Sequence, residues 1–167
     1  MRYAGIIKND ISAAPGVCVS FFTQGCPHHC IGCHNPQTWD FNAGKDLTQD
    51  VITELLNSIS ANNINRNLCI MGGEPLCKEN IPITNFIINK VKEVYPNIKI
   101  YVWTGYTLNE LNEYIDNDEL KEIIHNIDCI IDGRFIQEKR DITLHMRGST
   151  NQHIFYLKEG EIIGTEN

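Results

Sequence analysis

No stretch of this 167-residue chain is apolar for the roughly 20 residues that a membrane span requires, so no membrane role is expected. Basic charge is scarce: 14 Lys and Arg stand against 21 Asp and Glu. The formal net charge of −7 excludes a nucleic-acid scaffold, which would present a basic face. Met1 to Asp10 holds Arg2 and Lys8 and no apolar core of signal-peptide length, so the expected compartment is the cytoplasm. Internal repeats, linkers and low-complexity tracts are lacking, and the length suits one domain over 1–167 that needs no disulfide staples. Hydrophobic residues at 42% and charged ones at 21% fit a globular chain and exclude a disordered one.

The most telling absence is local. From Ile11 to Trp39 there is no Asp, Glu, Lys or Arg, yet the run is rich in Gly, Pro, Cys, His and Asn. Such a segment reads as a strand and loop lining a site shielded from water. Cysteine, by contrast, is abundant, at positions 18, 26, 30, 33, 69, 77 and 129. An odd number cannot pair off completely, and a reducing cytosol disfavours a disulfide framework.

Apolar patterning alternates between strand and helix. Strands are predicted at Val17–Thr23, Leu68–Met71, Ile98–Trp103, Asp128–Gly133 and His153–Leu157, with a sixth at Ala4–Lys8. Helices are predicted where Val51, Ile52, Leu55, Leu56 and Ile59, then Phe86, Ile87, Val91 and Val94, share a face. Thr107 and Glu110 have capping-box spacing ahead of Leu111, Tyr114 and Ile115, and Leu120, Ile123 and Ile124 continue the helical pattern. The rhythm implies an α/β fold with about five or six mostly parallel strands, as a partial, open barrel or a short doubly wound sheet. In either, the site forms at the C-terminal strand ends. Those ends carry Cys26 to Asn35, Gly72 to Pro75, Thr104 to Tyr106 and Asp132 to Phe135.

Cys26-Pro27-His28-His29-Cys30-Ile31-Gly32-Cys33 is a C-x₃-C-x₂-C motif. Thiolates select zinc, copper(I) or iron–sulfur over harder cations. Zinc could take these three cysteines with His34 or His28 as a fourth ligand, giving a non-catalytic, zinc-stabilised binding module. Buried packing thiols are a third reading. No second C-x₂-C pair exists to close a Cys₄ zinc ribbon, which favours a site left open at one metal.

With Gly72-Gly73-Glu74-Pro75 after a second strand, this motif resembles the radical S-adenosylmethionine enzymes. Thr23-Gln24-Gly25-Cys26-Pro27, Gly32-Cys33-His34-Asn35-Pro36 and Thr38-Trp39 look like the glycyl-radical-enzyme activases. Trp103-Thr104-Gly105-Tyr106, Asp132-Gly133-Arg134-Phe135 and Arg147 to Gln152 are similar to the branch that activates anaerobic ribonucleoside-triphosphate reductases. These blocks run in order over roughly positions 2 to 157. One departure stands out: Ala14-Pro15-Gly16-Val17-Cys18 replaces the family's Gly-Pro-Gly-x-Arg, so Cys18 stands where an arginine is usual.

The resemblance implies an oxidoreductase with the partial, open β/α barrel of the radical S-adenosylmethionine type. It implies a [4Fe-4S] cluster held by Cys26, Cys30 and Cys33, its fourth iron chelating S-adenosylmethionine. Gly32, Cys33 and His34 would border the cofactor's adenine; Gly72 and Gly73 would offer carbonyls to its ammonium, and Glu74 a negative partner. The implied partners are the large subunit of an anaerobic ribonucleotide reductase, whose glycine becomes a radical, and a reduced flavodoxin or ferredoxin as electron donor. An activase of another glycyl-radical enzyme, such as formate acetyltransferase, is the alternative within this chemistry. His28 and His29 are expected to shape the loop, Asp132 to cap the turn at Gly133, and Trp39 and Trp103 to pack as core.

Overall fold

The computed structural model describes residues 1–113 and 116–167, so Tyr114 and Ile115 of the predicted third helix lie outside the described residues. Among the described residues eight strands form one mixed sheet. They are β1 (Arg2–Asp10), β2 (Cys18–Thr23), β3 (Lys45–Asp46), β4 (Asn67–Gly72), β5 (Ile100–Trp103), β6 (Cys129–Asp132), β7 (His153–Lys158) and β8 (Glu161–Glu166). The spatial order is β3-β1-β2-β4-β5-β6-β7-β8. Among the described residues four α-helices accompany them: α1 (Gln49–Ile59), α2 (Ile81–Val94), α3 (Leu108–Asn112) and α4 (Asp118–Asn126).

The sheet corrects the expected strand number and direction. Only β2, β4, β5 and β6 run parallel; β1 and β3 on one side, β7 and β8 on the other, pair antiparallel. The two unforeseen strands lie at the edges and have no apolar run to announce them. Lys45 and Asp46 are exposed, and β8 is mostly exposed behind a two-residue turn, Glu159-Gly160, with both residues at positive φ. An edge strand is held by one ladder alone, so its sequence carries little hydrophobic signal.

Period-2 alternation splits the central strands between two faces. Val19, Phe21, Leu68, Ile70, Ile100, Val102 and Ile130 point to the face covered by α1, α2 and α4, where they meet Leu55, Ile87, Ile88, Leu120 and Ile123. Each such fully buried aliphatic contributes about 1.5–3 kcal/mol. Cys18, Cys69, Tyr101, Cys129, Ile131 and Ile154 form a smaller cluster on the opposite face. The helices start where their sequences cap them: Thr48 accepts from Val51 N–H, Asn117 from Leu120 N–H, and Thr107 and Glu110 complete a capping box.

This topology decides where the site lies. Because β2, β4, β5 and β6 are parallel, their C-terminal residues Thr23, Gly72, Trp103 and Asp132 all reach one edge of the sheet, and the loops that follow converge there. Helices on one face leave the other face at that end open.

Candidate functional site

The cysteine loop is fastened at its root. As the chain leaves β2, Gly25 N–H donates to Thr38 O at 2.8 Å and Cys26 N–H to Trp39 O at 3.1 Å, so the loop returns beside its own start. A 3₁₀ turn at Pro36–Thr38 closes it, helped by Thr38 Oγ1 donating to Asn35 O at 2.7 Å. Buried Gln24 donates to Asp40 O at 2.7 Å and ties the return strand down. His29, at φ 47, stacks on Trp39 with ring centroids 4.8 Å apart.

Cys26, Cys30 and Cys33 line one cavity of about 870 Å³ together with Gly72, Gly73, Glu74, Thr104 and Gly105. Burial pushes the Cys26 thiol up to about 11, against backbone N–H groups of His28 and His29 that favour its thiolate. Burial likewise raises Cys30, opposed by the Phe135 N–H, and Asn35 N–H donates to Cys33 Sγ at 3.4 Å. Each thiol therefore has backbone N–H groups against its sulfur, a setting that suits bound, anionic sulfur. Among the described residues no three His, Cys, Asp or Glu side chains converge as ligands of a single metal ion. The shielding expected for Ile11 to Trp39 holds for β2 and Cys26 but not for the segment's start, where Ile11 is 79% exposed, nor for the loop tip, where Ile31 is 81% exposed. At the tip His29, Ile31, Gly32 and His34 all meet water.

Glu74 is the hub of the site. It is 1% exposed, and its carboxylate takes four donors: Leu76 N–H at 2.9 Å and Thr104 Oγ1 at 2.7 Å on Oε1, Gly105 N–H at 2.6 Å and His28 Nε2 at 2.9 Å on Oε2. Those donors occupy the carboxylate's lone pairs, so Glu74, expected as a negative partner of a ligand ammonium, is hydrogen-bonded to the protein itself. The other His28 nitrogen, Nδ1, faces Arg134 Nε at 3.2 Å. Arg134 can only donate, so Nδ1 accepts and the ring proton sits on Nε2. Both nitrogens of His28 are thus engaged, which removes it as a metal ligand. Arg134 continues to Glu110 at 2.9 Å, and Glu110 is held below the usual carboxylate range by the Thr107 N–H and by Arg134. The chain Glu110–Arg134–His28–Glu74 links α3, the loop after β6, the cysteine loop and the turn after β4.

Gly72 sits at φ 103, where a side chain is strained, and a Cβ on it would press the Phe22 backbone at 2.9 Å. Gly73 is also kept small by the protein itself. A Cβ there would overlap the Gly25 carbonyl, the residue before Cys26, because the turn is laced to that strand by Gly73 N–H to Thr23 O and Glu74 N–H to Gly25 O. Asn80, buried and unremarked in the sequence, clamps the same place by donating to Gly25 O and Glu74 O, both at 3.0 Å.

The remaining cysteines stay away from the loop. Cys18, Cys69 and Cys129 are fully buried in the sheet's smaller cluster, and burial drives Cys129 up to about 12. Cys77 donates its thiol to Glu74 O at 3.2 Å and is likewise raised to about 12 by burial. Cys18 lies at the start of β2, five residues or about 17 Å of strand from Thr23. Asp132 does not cap Gly133. Its carboxylate accepts from Leu108 N–H at 3.0 Å and from His153 N–H at 3.2 Å, because Gly133 N–H is already taken by Tyr106 O. His34 is exposed on the cavity rim, and Trp39 and Trp103, both expected as core, are half-buried parts of the cavity wall.

The chain presents three thiols to a cavity at the ends of parallel strands, and residues 13–155 match the protein family described as "4Fe-4S single cluster domain", which makes it an iron–sulfur domain of that class. Across 159 residues the chain is 33% identical to the anaerobic ribonucleoside-triphosphate reductase-activating protein of Escherichia coli (strain K12), covering 95% of this chain and 100% of that protein. The protein of the same name from Pasteurella multocida is 36% identical over 93% of this chain and 97% of its own length. That of Enterobacteria phage T4 is 32% identical over 96% and 97%. The chain belongs to the family of anaerobic ribonucleoside-triphosphate reductase-activating proteins. The thiolate donor set fits the iron–sulfur cluster of that family, and the choice of iron–sulfur over zinc rests on the family match.

Proposed function

We propose that this protein activates an anaerobic ribonucleoside-triphosphate reductase by creating a glycyl radical in its large subunit. The single observation that carries this reading is the cavity at the sheet edge, where Cys26, Cys30 and Cys33 face the Gly72-Gly73 turn in a chain of this family. When bound, a [4Fe-4S] cluster and S-adenosylmethionine supply one-electron cleavage to methionine and a 5′-deoxyadenosyl radical, which takes the hydrogen of a glycine Cα–H.

The protein's own residues provide the setting. Cys26, Cys30 and Cys33 would hold the cluster as thiolates, three protein ligands for a four-iron group. The Gly73 carbonyl accepts no hydrogen bond from the described residues and offers itself to the cofactor's ammonium. Gly72 keeps the turn flat against Phe22, so the ligand can approach backbone directly. The backbone of Gly32, Cys33 and His34 would border the adenine. With its lone pairs filled, Glu74 contributes charge at a distance and rigidity, holding the turn and the cysteine loop in one register. We read the sheet as the open β/α barrel of the radical S-adenosylmethionine type, with the helix-free face as its interior. The exposed tip around Ile31 supports electron entry from a reduced flavodoxin or ferredoxin over a short path to the half-buried Cys30 and Cys33.

The test is anaerobic. Protein reconstituted with iron and sulfide is mixed with S-adenosylmethionine, a reductant and the large reductase subunit, and EPR is recorded. A doublet split by the remaining α-hydrogen is expected, and it should vanish when the target glycine is changed to alanine. Cleavage without a doublet, or a doublet only with a different glycyl-radical enzyme, would move the protein to another partner. Colourless protein holding zinc would end the redox reading.

A further inference from the structure

The three large apolar side chains most exposed among the described residues are Ile142 at 82%, Ile31 at 81% and Ile11 at 79%. Ile31 sits on the cysteine loop. The other two are displayed by the same local device, an aspartate that accepts both the N–H and the hydroxyl of the residue two positions on. Asp10 Oδ1 accepts Ser12 N–H at 2.9 Å and Ser12 Oγ at 2.8 Å. Asp141 Oδ1 accepts Thr143 N–H at 2.9 Å and Thr143 Oγ1 at 2.6 Å. Each triplet is a turn closed by its own carboxylate, with an isoleucine at the apex. The first turn is bolted to β2 by Ser20 Oγ, which donates to Asp10 Oδ2 at 2.7 Å. The second belongs to the β6–β7 connection, where Asp141 N–H donates to Gly148 O at 3.1 Å and Trp103 Nε1 to Met146 O at 2.8 Å.

These turns flank one continuous hollow. Beside the cysteine cavity lies a second cavity of about 790 Å³, and the two share His34, Met71, Trp103 and Met146. Phe22, Met71 and Trp103, from β2, β4 and β5, line its floor. Asp10 and Ser12 line it next to Ile11, Leu144 lines it two residues beyond Ile142, and Ile142 itself borders the cysteine cavity. In sheet order β2, β4 and β5 lie between β1 and β6, so the two isoleucines stand on either side of the floor.

Single exposed apolar side chains are ordinary on a protein surface. A matched pair, fixed by the same turn on both sides of a hollow that leads to the cysteines, is not. Neither isoleucine contributes burial to this fold, and each turn has already lost the freedom that docking would otherwise cost. An occupant that touches both must span the hollow and still present a C–H to the cysteine cavity, which a protein carrying its target in an extended segment can do.

We infer that Ile11 and Ile142 are the two apolar anchors on which the large reductase subunit docks, with its glycine-bearing segment in the hollow between them. The inference rests on the partner proposed above.

The test compares wild type, Ile11→Ser, Ile142→Ser, the double variant and Val94→Ser after anaerobic reconstitution. Val94, half exposed at the end of α2 on the helix side, is the matched control. Binding is measured to a large subunit whose target glycine is changed to alanine, so that no hydrogen is taken. Each isoleucine variant should bind about tenfold more weakly and the double variant about 100-fold, with iron content unchanged. Val94→Ser should match wild type. Wild-type affinity in both isoleucine variants, or an equal loss in Val94→Ser, would overturn the inference, while a glycyl-radical doublet from wild type and the unaltered subunit would still uphold the partner. Neither binding nor a doublet with wild type would overturn both. Weaker self-association, or slower cluster reduction by flavodoxin, with reductase binding unaltered would overturn it by giving the anchors to a second copy or to the electron donor. Should the variants lose iron or unfold, photochemical carbene footprinting of the wild type decides. The reductase should shield Ile11 and Ile142 from labelling and leave Val94 labelled; labelling of both isoleucines as in the free protein overturns the inference.

Discussion

His28 Nε2 donates to Glu74 Oε2 across 2.9 Å, and this one bond ties the cysteine loop to the turn that follows β4. Its two ends are 5% and 1% exposed, so the bond lies in a setting where water cannot replace either partner. Gly25, Cys26 and Gln24 anchor the loop at its root. His28 adds a tie in the middle of the C-x₃-C segment.

Replacing His28 by Ala should leave one lone pair of a buried carboxylate unmet and release Arg134 on its far side. The expected cost is about 1–3 kcal/mol in unfolding free energy. Iron retention after desalting should fall as well, whereas His28→Gln, which can still donate to Glu74, should recover part of both. Thermal unfolding and iron analysis of the two variants check this. Equal iron retention in wild type and His28→Ala would show that the bond is dispensable for the loop.

Glu74→Gln keeps the shape but turns one carboxylate oxygen into an NH₂ group. It would then face two donors, either Leu76 N–H and Thr104 or Gly105 N–H and His28, according to the flip. The variant should be destabilised by about 2 kcal/mol or more. If it unfolded with wild-type denaturant midpoint and slope, the four-donor arrangement would carry no net stability.

Gly73→Ala should displace the Gly25–Cys26 backbone and lower cluster occupancy together with S-adenosylmethionine cleavage. The collision is with protein, not only with ligand. Gly5→Ala is the matched control, since a Cβ there meets nothing within 4 Å. Full iron content in Gly73→Ala with cleavage alone abolished would mean that the Gly25 carbonyl yields and that the glycine serves the cofactor.

Changing Cys26, Cys30 or Cys33 to Ala should remove most bound iron. Cys69→Ala, Cys77→Ala and Cys129→Ala should keep it, at a stability cost of about 1 kcal/mol for the lost packing. Iron-to-protein ratios after anaerobic gel filtration are the measurement. Loss of iron in two of the second group would refute the three-ligand assignment.

Asp10 predicts an acid-dependent contribution to stability. Burial disfavours its charge, yet hydrogen bonds from Ser20, Ser12 and Ala13 outweigh that and set its carboxyl below the usual range. A depressed carboxylate stabilises the fold above its unfolded value and loses that contribution as pH falls through the folded one. Urea unfolding between pH 7 and pH 3 should therefore show a decline that is smaller in Asp10→Asn. An identical decline would place the acid sensitivity elsewhere.

The sequence by itself determined the chemistry and the alternation of elements. Cysteine spacing and the Gly-Gly-Glu-Pro turn are local patterns, and every strand with a buried apolar run, from Val19 to Ile154, announced itself by period. Spacing also implied that parallel strand ends would gather these motifs, because parallel β2, β4, β5 and β6 leave no other arrangement of their loops. Only the tertiary structure decided which polar groups remain available. Glu74 looks like a ligand for a cation in the sequence, but four donors from positions 28, 76, 104 and 105 fill it. Trp39 reads as core, yet it lines the cavity with its N–H unpaired. The edge strands β3 and β8 were silent for a related reason. A hydrogen bond made across tens of residues satisfies backbone or side chain without leaving a periodic trace, so saturation, orphaning and edge pairing can be seen only when the chain is folded.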